Sequence, residues 1–131
     1  MKYEVIFRPF TDRHFIRTFA KKYKGAWERT LNGLTLEFTL VDLLFDKTIA
    51  ETISISHDND LKICKTEFKI AGTEVSRHAS GNRCIIAVCK STQTVHVLLV
   101  YSKGDIRGSN ETVGWKAIIK DNYPEYRKIV V

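Results

Sequence analysis

The stretch NRCIIAVCK at residues 82–90, with STQT at 91–94 and VHVLLVY at 95–101, decides the fold. Both flanking runs are rich in β-branched and aliphatic side chains, and the four residues between them are turn formers, so the segment reads as a β-hairpin. The second run is the most hydrophobic of the chain and is predicted to be the central strand. Upstream, the run from Leu61 alternates. Cys64, Thr66, Phe68 and Ile70 share one face, with Lys65, Glu67 and Lys69 on the other. HDND at 57–60 is a turn, and TISIS at 52–56 reads as a further strand or an extended linker. A polar loop at 72–81 joins the Leu61 run to the hairpin.

The period changes toward the N-terminus. Residues 3–8 (YEVIFR) read as a strand stopped by Pro9. Thr11 or Asp12 is then placed to cap a helix carrying Phe15, Ile16, Phe19 and Tyr23, interrupted at Gly25. Trp27, Leu31, Leu34, Phe38, Val41 and Phe45 follow in alternating steps of four and three, one continuous apolar stripe on a second helix. The two helices predict a hairpin. After the basic segment KGDIRG at 103–108, Ser109 or Asn110 can cap a last helix from Glu111, with Trp115, Ile118 and Ile119 on one side and an end at Asn122 and Pro124. The expected fold is α+β: an N-terminal strand and helical hairpin packed on one face of an antiparallel sheet, with a C-terminal helix, in a single domain over 1–131.

The composition fits such a domain. The chain has 131 residues, 44% hydrophobic and 27% charged, which is ordinary for a globular protein and excludes a collagen-like or disordered chain. No apolar run approaches the ~20 residues of a membrane-spanning helix. Glu4, Arg8, Asp12 and Arg13 do not suit a signal peptide, so a cytosolic location is expected. Cys64, Cys84 and Cys89 form no CxxC pair and read as reduced core thiols rather than a disulfide framework or a metal site. No metal or cofactor is expected, and nucleotide-loop, HExxH and GxSxG motifs are missing.

The formal charge of +6 favours polyanions. Its cations gather near strand ends: Lys65 and Lys69, then Arg77, His78 and Arg83, then Lys103 and Arg107, with Tyr101 as an aromatic neighbour. Converging in an antiparallel sheet, they would make a basic patch suited to single-stranded RNA; the alternative is a solvated charged face. His96, inside a hydrophobic strand, reads as a hydrogen-bonded sheet residue, whereas His78 in the polar loop is freer for chemistry. Arg83 follows Gly81-Asn82 and is expected at the sheet's rim, facing solvent. There it either grips phosphate or pairs with Glu67 or Asp105.

The stretch 65–106, through EFKI at 67–70, GNRCII at 81–86 and VLLVYSKGD at 97–105, resembles the core of the RelE/ParE superfamily of toxins from bacterial type II toxin–antitoxin systems. The N-terminal MKYEVIFRPFTDRHFIRTFAKKY is similar to the family's opening strand and first helix. The resemblance implies a ribosome-dependent mRNA endonuclease in which a ribose 2′-OH attacks its own 3′ phosphate, inhibiting translation. It also implies an antitoxin partner with an acidic segment, which the charge of +6 suits. It assigns catalytic roles to Arg83 (the Arg of Gly-x-Arg), Lys69 and Lys103, and the family tyrosine absent from 106–113 leaves Tyr101, taken as the catalytic candidate, or Tyr123 or Tyr126 as substitutes. Lys65, Arg77, His78 and Arg107 would bind RNA. Ala71 replaces a basic residue of the family pattern. Two other readings stay open: a ParE-like protein that binds DNA gyrase, and a catalytically degenerate binding scaffold.

Overall fold

The computed structural model describes residues 2–106, 108 and 110–130. Strand β1 (Glu4–Phe7) leads into a helical segment of three pieces, α1 (Pro9–Thr11), a π-wound turn (Asp12–Ile16) and α2 (Arg17–Lys22). After Gly25 come α3 (Ala26–Thr39) and α4 (Val41–Asp46). Strands β2 (Glu51–Ile55), β3 (Leu61–Phe68), β4 (Asn82–Cys89) and β5 (Thr94–Ser102) precede α5 (Glu111–Asn122). The five strands form one sheet in the order β1-β5-β4-β3-β2. All neighbours are antiparallel except β1, which pairs parallel with β5. The fold is α+β, and the TISIS segment is an edge strand.

The apolar stripe read from Trp27 to Phe45 is real but belongs to two helices. The chain breaks at Leu40 (φ −110°, ψ 42°), so that Val41 and Leu44 both reach the core. Three threonines of α3 donate back to carbonyls one turn earlier, Thr30 to Ala26, Thr35 to Leu31 and Thr39 to Thr35, a pattern that bends helices. Trp27 stacks on Phe19 at 4.9 Å, which locks the hairpin of α2 and α3. Thr11 caps nothing. It is fully buried, and its hydroxyl accepts the Val100 N–H at 2.8 Å.

Helices cover both faces of the sheet rather than one. The reason lies in β4, where residues 82–88 are all buried, so neither face can be left to water. The N-terminal helices cover Cys84, Ile86 and Val88. Helix α5 covers Ile85 and Ala87 through Trp115 and Ile119. Among the described residues no helix is long and apolar enough to cross a membrane.

Candidate functional site

Antiparallel register brings three polar side chains into one row beneath α5. Glu67 of β3 lies opposite Arg83 of β4, and Arg83 lies opposite Tyr101 of β5. Strict alternation would not give this row. Ile86 pairs with Val97 but Ile85 with Leu99, so Leu98 is an extra residue in β5. Without it Val100 would face Arg83, and Tyr101 would turn to the other side of the sheet. The bulge is held by side chains: Tyr123 Oη donates to the Leu98 carbonyl at 2.7 Å, beside the Thr11 contact to Val100. Gly81 brings the loop into β4 with φ +74°, a left-handed conformation that glycine adopts freely. Its carbonyl accepts the Lys103 N–H at 2.7 Å, joining the two strand ends.

Glu111, in the first turn of α5, completes the corner. Its Oε2 accepts the Tyr101 hydroxyl at 2.6 Å and lies 3.4 Å from Lys65 Nζ and 3.8 Å from Arg83 Nε. The side chain of Arg83 is 5% exposed, and its Nη1 sits 3.9 Å from Glu67 Oε2. Arg83 Nη1 donates to the Asn82 carbonyl at 3.3 Å, whereas its Nε is buried with no hydrogen-bond acceptor. The corner thus sets two cations against two carboxylates around a buried guanidinium, partly shielded from water, where such contacts are stronger than on an open surface. Burial pushes the Tyr101 phenol far above its ordinary 10, and the bond to Glu111 adds to this, so it donates a hydrogen bond and keeps its proton. Burial also works to raise Glu111, but the Tyr101 bond together with Lys65 and Arg83 outweighs it and holds the carboxyl below its ordinary 4.5.

Glu67 links this corner to the loop. His78 Nδ1 lies 3.0 and 3.1 Å from its two oxygens. An ionised carboxylate only accepts, so Nδ1 carries the proton and Nε2 of the 85%-exposed ring faces solvent. Beside it opens a hollow of 430 Å³ whose lining includes Glu51, Lys65, Glu67, Ser76, Arg77 and His78.

The structure joins Lys65, His78, Arg83 and Tyr101 into one connected cluster and leaves the other expected residues apart. Arg83 is buried rather than at an exposed rim, because α5 lies across it. Of the partners expected for Arg83, Glu67 is near, but Asp105 instead accepts the Ser102 N–H within its own turn. Arg77 is committed: its Nη1 and Nη2 donate to both oxygens of Glu37 at 2.8 Å, and its Nε donates to the Glu67 carbonyl. It clamps the loop to α3, so that its charge is already paired where its side chain lines the hollow. Lys69 follows the end of β3, exposed, and borders a separate hollow with Arg29, Glu37 and Ala71. Lys103 is exposed beside Gly81. Arg107 lies outside the described residues. Burial pushes the Cys64 thiol up to about 12, as suits a core cysteine.

Glu111 and Glu37 had no role in the sequence reading. A carboxylate in a helix's first turn is ordinary dipole complementation, and nothing in its spacing points to a site on the sheet.

No protein-family model matches the chain, and no curated protein matches it significantly. Among solved structures, the chain is similar to one from a crystal structure of an archaeal RelE–RelB complex from Pyrococcus horikoshii OT3. The identity is 14% and the TM-score 0.44, over 79% of this chain and 98% of that one.

Proposed function

We propose that this chain is a RelE-like toxin, a cytosolic ribonuclease that cuts mRNA on the translating ribosome. One observation carries the reading: the Tyr101 hydroxyl, the Lys65 ammonium and the Arg83 guanidinium, from three neighbouring strands, converge on a single anionic oxygen. A phosphodiester presents such an oxygen, and these donors would stabilise the charge that grows on it during in-line attack. His78, oriented by Glu67, is the base. Its Nε2 takes the proton of the ribose 2′-OH, O2′ bonds to phosphorus, and the P–O5′ bond breaks. The O5′ leaves with a proton from solvent, and a 2′,3′-cyclic phosphate remains. The exposed Lys69 and Lys103 extend the positive surface that tracks the RNA backbone, and Arg107 follows them in sequence.

A partner follows from the charge of +6. An antitoxin with an acidic segment would associate quickly and neutralise the basic surface. A neighbouring reading frame encoding an acidic protein that co-purifies with this chain is the expected finding.

The test is a reconstituted translation reaction programmed with one mRNA. The expected result is cleavage of the ribosome-bound message into fragments ending in 2′,3′-cyclic phosphate, lost in Arg83→Ala and His78→Gln. Intact message with continuing protein synthesis would overturn the enzymatic reading. The carboxylates already lodged among these cations favour one other reading, a protein that binds without cutting, whether DNA gyrase or another partner. Arrest of DNA synthesis with translation intact, in cells labelled for both, would point there.

A further inference from the structure

The three donors and their acceptor are mounted differently. Lys65, Arg83 and Tyr101 stand on β3, β4 and β5, adjacent strands of one hydrogen-bonded sheet, so their relative positions are fixed by the ladder. Glu111 comes from another element. It opens α5, directly after Asn110, whose side chain accepts the Val113 N–H as a helix cap.

The anchorage of α5 lies further along. Trp115 and Ile119 are fully buried, and Tyr123 beyond them is nearly so. In the first turn the large apolar side chain, Val113, is 64% exposed and turned to solvent, so it does not hold that turn to the sheet. The Glu111 contacts do. Fraying this turn therefore breaks the Glu111 contacts and its cap while leaving the apolar core of the face in place.

From this arrangement, which rests on the RNA reading above, we infer that Glu111 is an internal stand-in for the RNA phosphate. Its carboxylate occupies the seat in the free protein, and a phosphodiester reaches Arg83 only by displacing the first turn of α5. The charges agree with such competition. Arg83 is shared by two carboxylates, Glu67 and Glu111, Lys65 faces Glu111, and the orphaned Arg83 Nε shows that a carboxylate at 3.8 Å does not satisfy the seat fully. A phosphate oxygen, free of the helix that tethers the carboxylate, can approach the Arg83 Nε within hydrogen-bond distance. The free toxin is thus latched, and its apparent affinity for RNA is lowered by the fraction of time the latch is shut.

The probe is a fluorescein-labelled, single-stranded oligonucleotide with 2′-O-methyl sugars, which binds without being cut, read by anisotropy at fixed salt. Glu111→Gln keeps the side chain's shape and an acceptor for Tyr101 but removes the charge. A latch shut about nine-tenths of the time predicts binding tighter by about tenfold. Glu125→Gln, at the exposed ion pair with Arg8, is the control for the loss of one negative charge and should change little. Adding Arg83→Ala to Glu111→Gln should abolish the gain. Equal tightening by Glu111→Gln and Glu125→Gln, or a gain that survives the loss of Arg83, would overturn the latch.

Hydrogen exchange on the parent protein gives a second reading that does not depend on any variant folding. Oligonucleotide binding should speed exchange of the amides at 113 and 114, and unchanged rates there contradict the inference. Cleavage of mRNA by the parent, with no effect of Glu111→Gln on binding, rejects the latch alone. Failure of parent and Glu111→Gln alike to bind the oligonucleotide rejects the latch and the RNA reading together.

Discussion

Alternate residues of β3, β4 and β5 build two unlike faces. Beneath the N-terminal helices the sheet presents Cys64, Phe68, Cys84, Ile86, Val88 and Val97 to Phe19, Trp27, Leu34 and Phe38, with Thr66 as a buried polar exception. Beneath α5 it presents Ile63, Ile85 and Leu99 to Trp115 and Ile119, but one end of that face is given to Lys65, Glu67, Arg83 and Tyr101. The first face can be close-packed because the one charge its strands carry, Lys62, stands at its end over the Phe45 ring. The second tolerates charges because each is opposed by another, at some cost in stability relative to apolar packing. That uneven division is what a site requires: a rigid floor on one side and reactive side chains on the other.

The largest expected effect therefore lies on the apolar face. Phe38 is fully buried, and Phe38→Ala should cost about 3–5 kcal/mol in chemical denaturation, through lost burial and a residual cavity. Arg83→Ala should cost less, about 1–3 kcal/mol, by removing the cation that Glu67 and Glu111 share and leaving only Lys65 beside Glu111. An Arg paired at an exposed rim contributes little to stability, and it is the burial of Arg83 that raises the cost. If Arg83→Ala proves as damaging as Phe38→Ala, the charged corner is a stability device and the contrast between the faces collapses. Arg83→Lys should recover only part of the loss, since a lysine cannot direct one prong at each carboxylate.

How far the sequence discloses each face follows from the physics. The apolar face is legible because periodicity reports burial: the stripe from Trp27 to Phe45 and the runs at 61–68 and 82–89 name its members directly. The break at Leu40 leaves no mark in that periodicity, since Val41 and Leu44 remain apolar at helical spacing. The charged corner is only half legible. Its cations could be named because they cluster at strand ends. Their environment could not, because it depends on one extra residue at Leu98, which places Tyr101 beside Arg83, and on a helix that crosses the sheet some thirty residues downstream of β4's start. Two neighbouring leucines carry no signal for a bulge. Arg77 shows the converse case: by sequence it is one more cation, and only tertiary contact with Glu37 shows that its charge is already paired.

Gly81→Ala probes the junction where the two faces meet. At φ +74° an added Cβ meets only the Lys103 side chain, at 3.7 Å, so space is no obstacle and the cost is conformational. A single alanine held in this region should destabilise by about 1–2 kcal/mol. The damage should fall on the corner, because the Gly81 carbonyl holds the Lys103 N–H and with it the end of β5. Equilibrium unfolding gives the cost. Activity lost beyond the unfolded fraction would place the strain at the site, and activity lost only in proportion to unfolding would place it elsewhere.

The smallest effect is acid sensitivity at Glu111, and its sign is fixed. The folded-state pKa lies below the ordinary 4.5, because the Tyr101 bond, Lys65 and Arg83 outweigh the opposing effect of burial. A carboxyl depressed on folding stabilises the protein above its unfolded-state pKa, and that contribution fades as pH falls through the folded value. Asp58, Asp60 and Glu125 are lowered as well, so the parent's total acid response has several sources. The difference between the parent and Glu111→Gln isolates one of them. As pH falls below the ordinary 4.5 and through the lower folded value, the stability advantage of the parent over Glu111→Gln should shrink toward zero. The carboxylate is then a working ligand of the cations beneath it. A difference that stays constant across this range would instead mean that Glu111 holds α5 down by shape and hydrogen bonding alone. The two faces would then differ in composition but not in the kind of force that covers them.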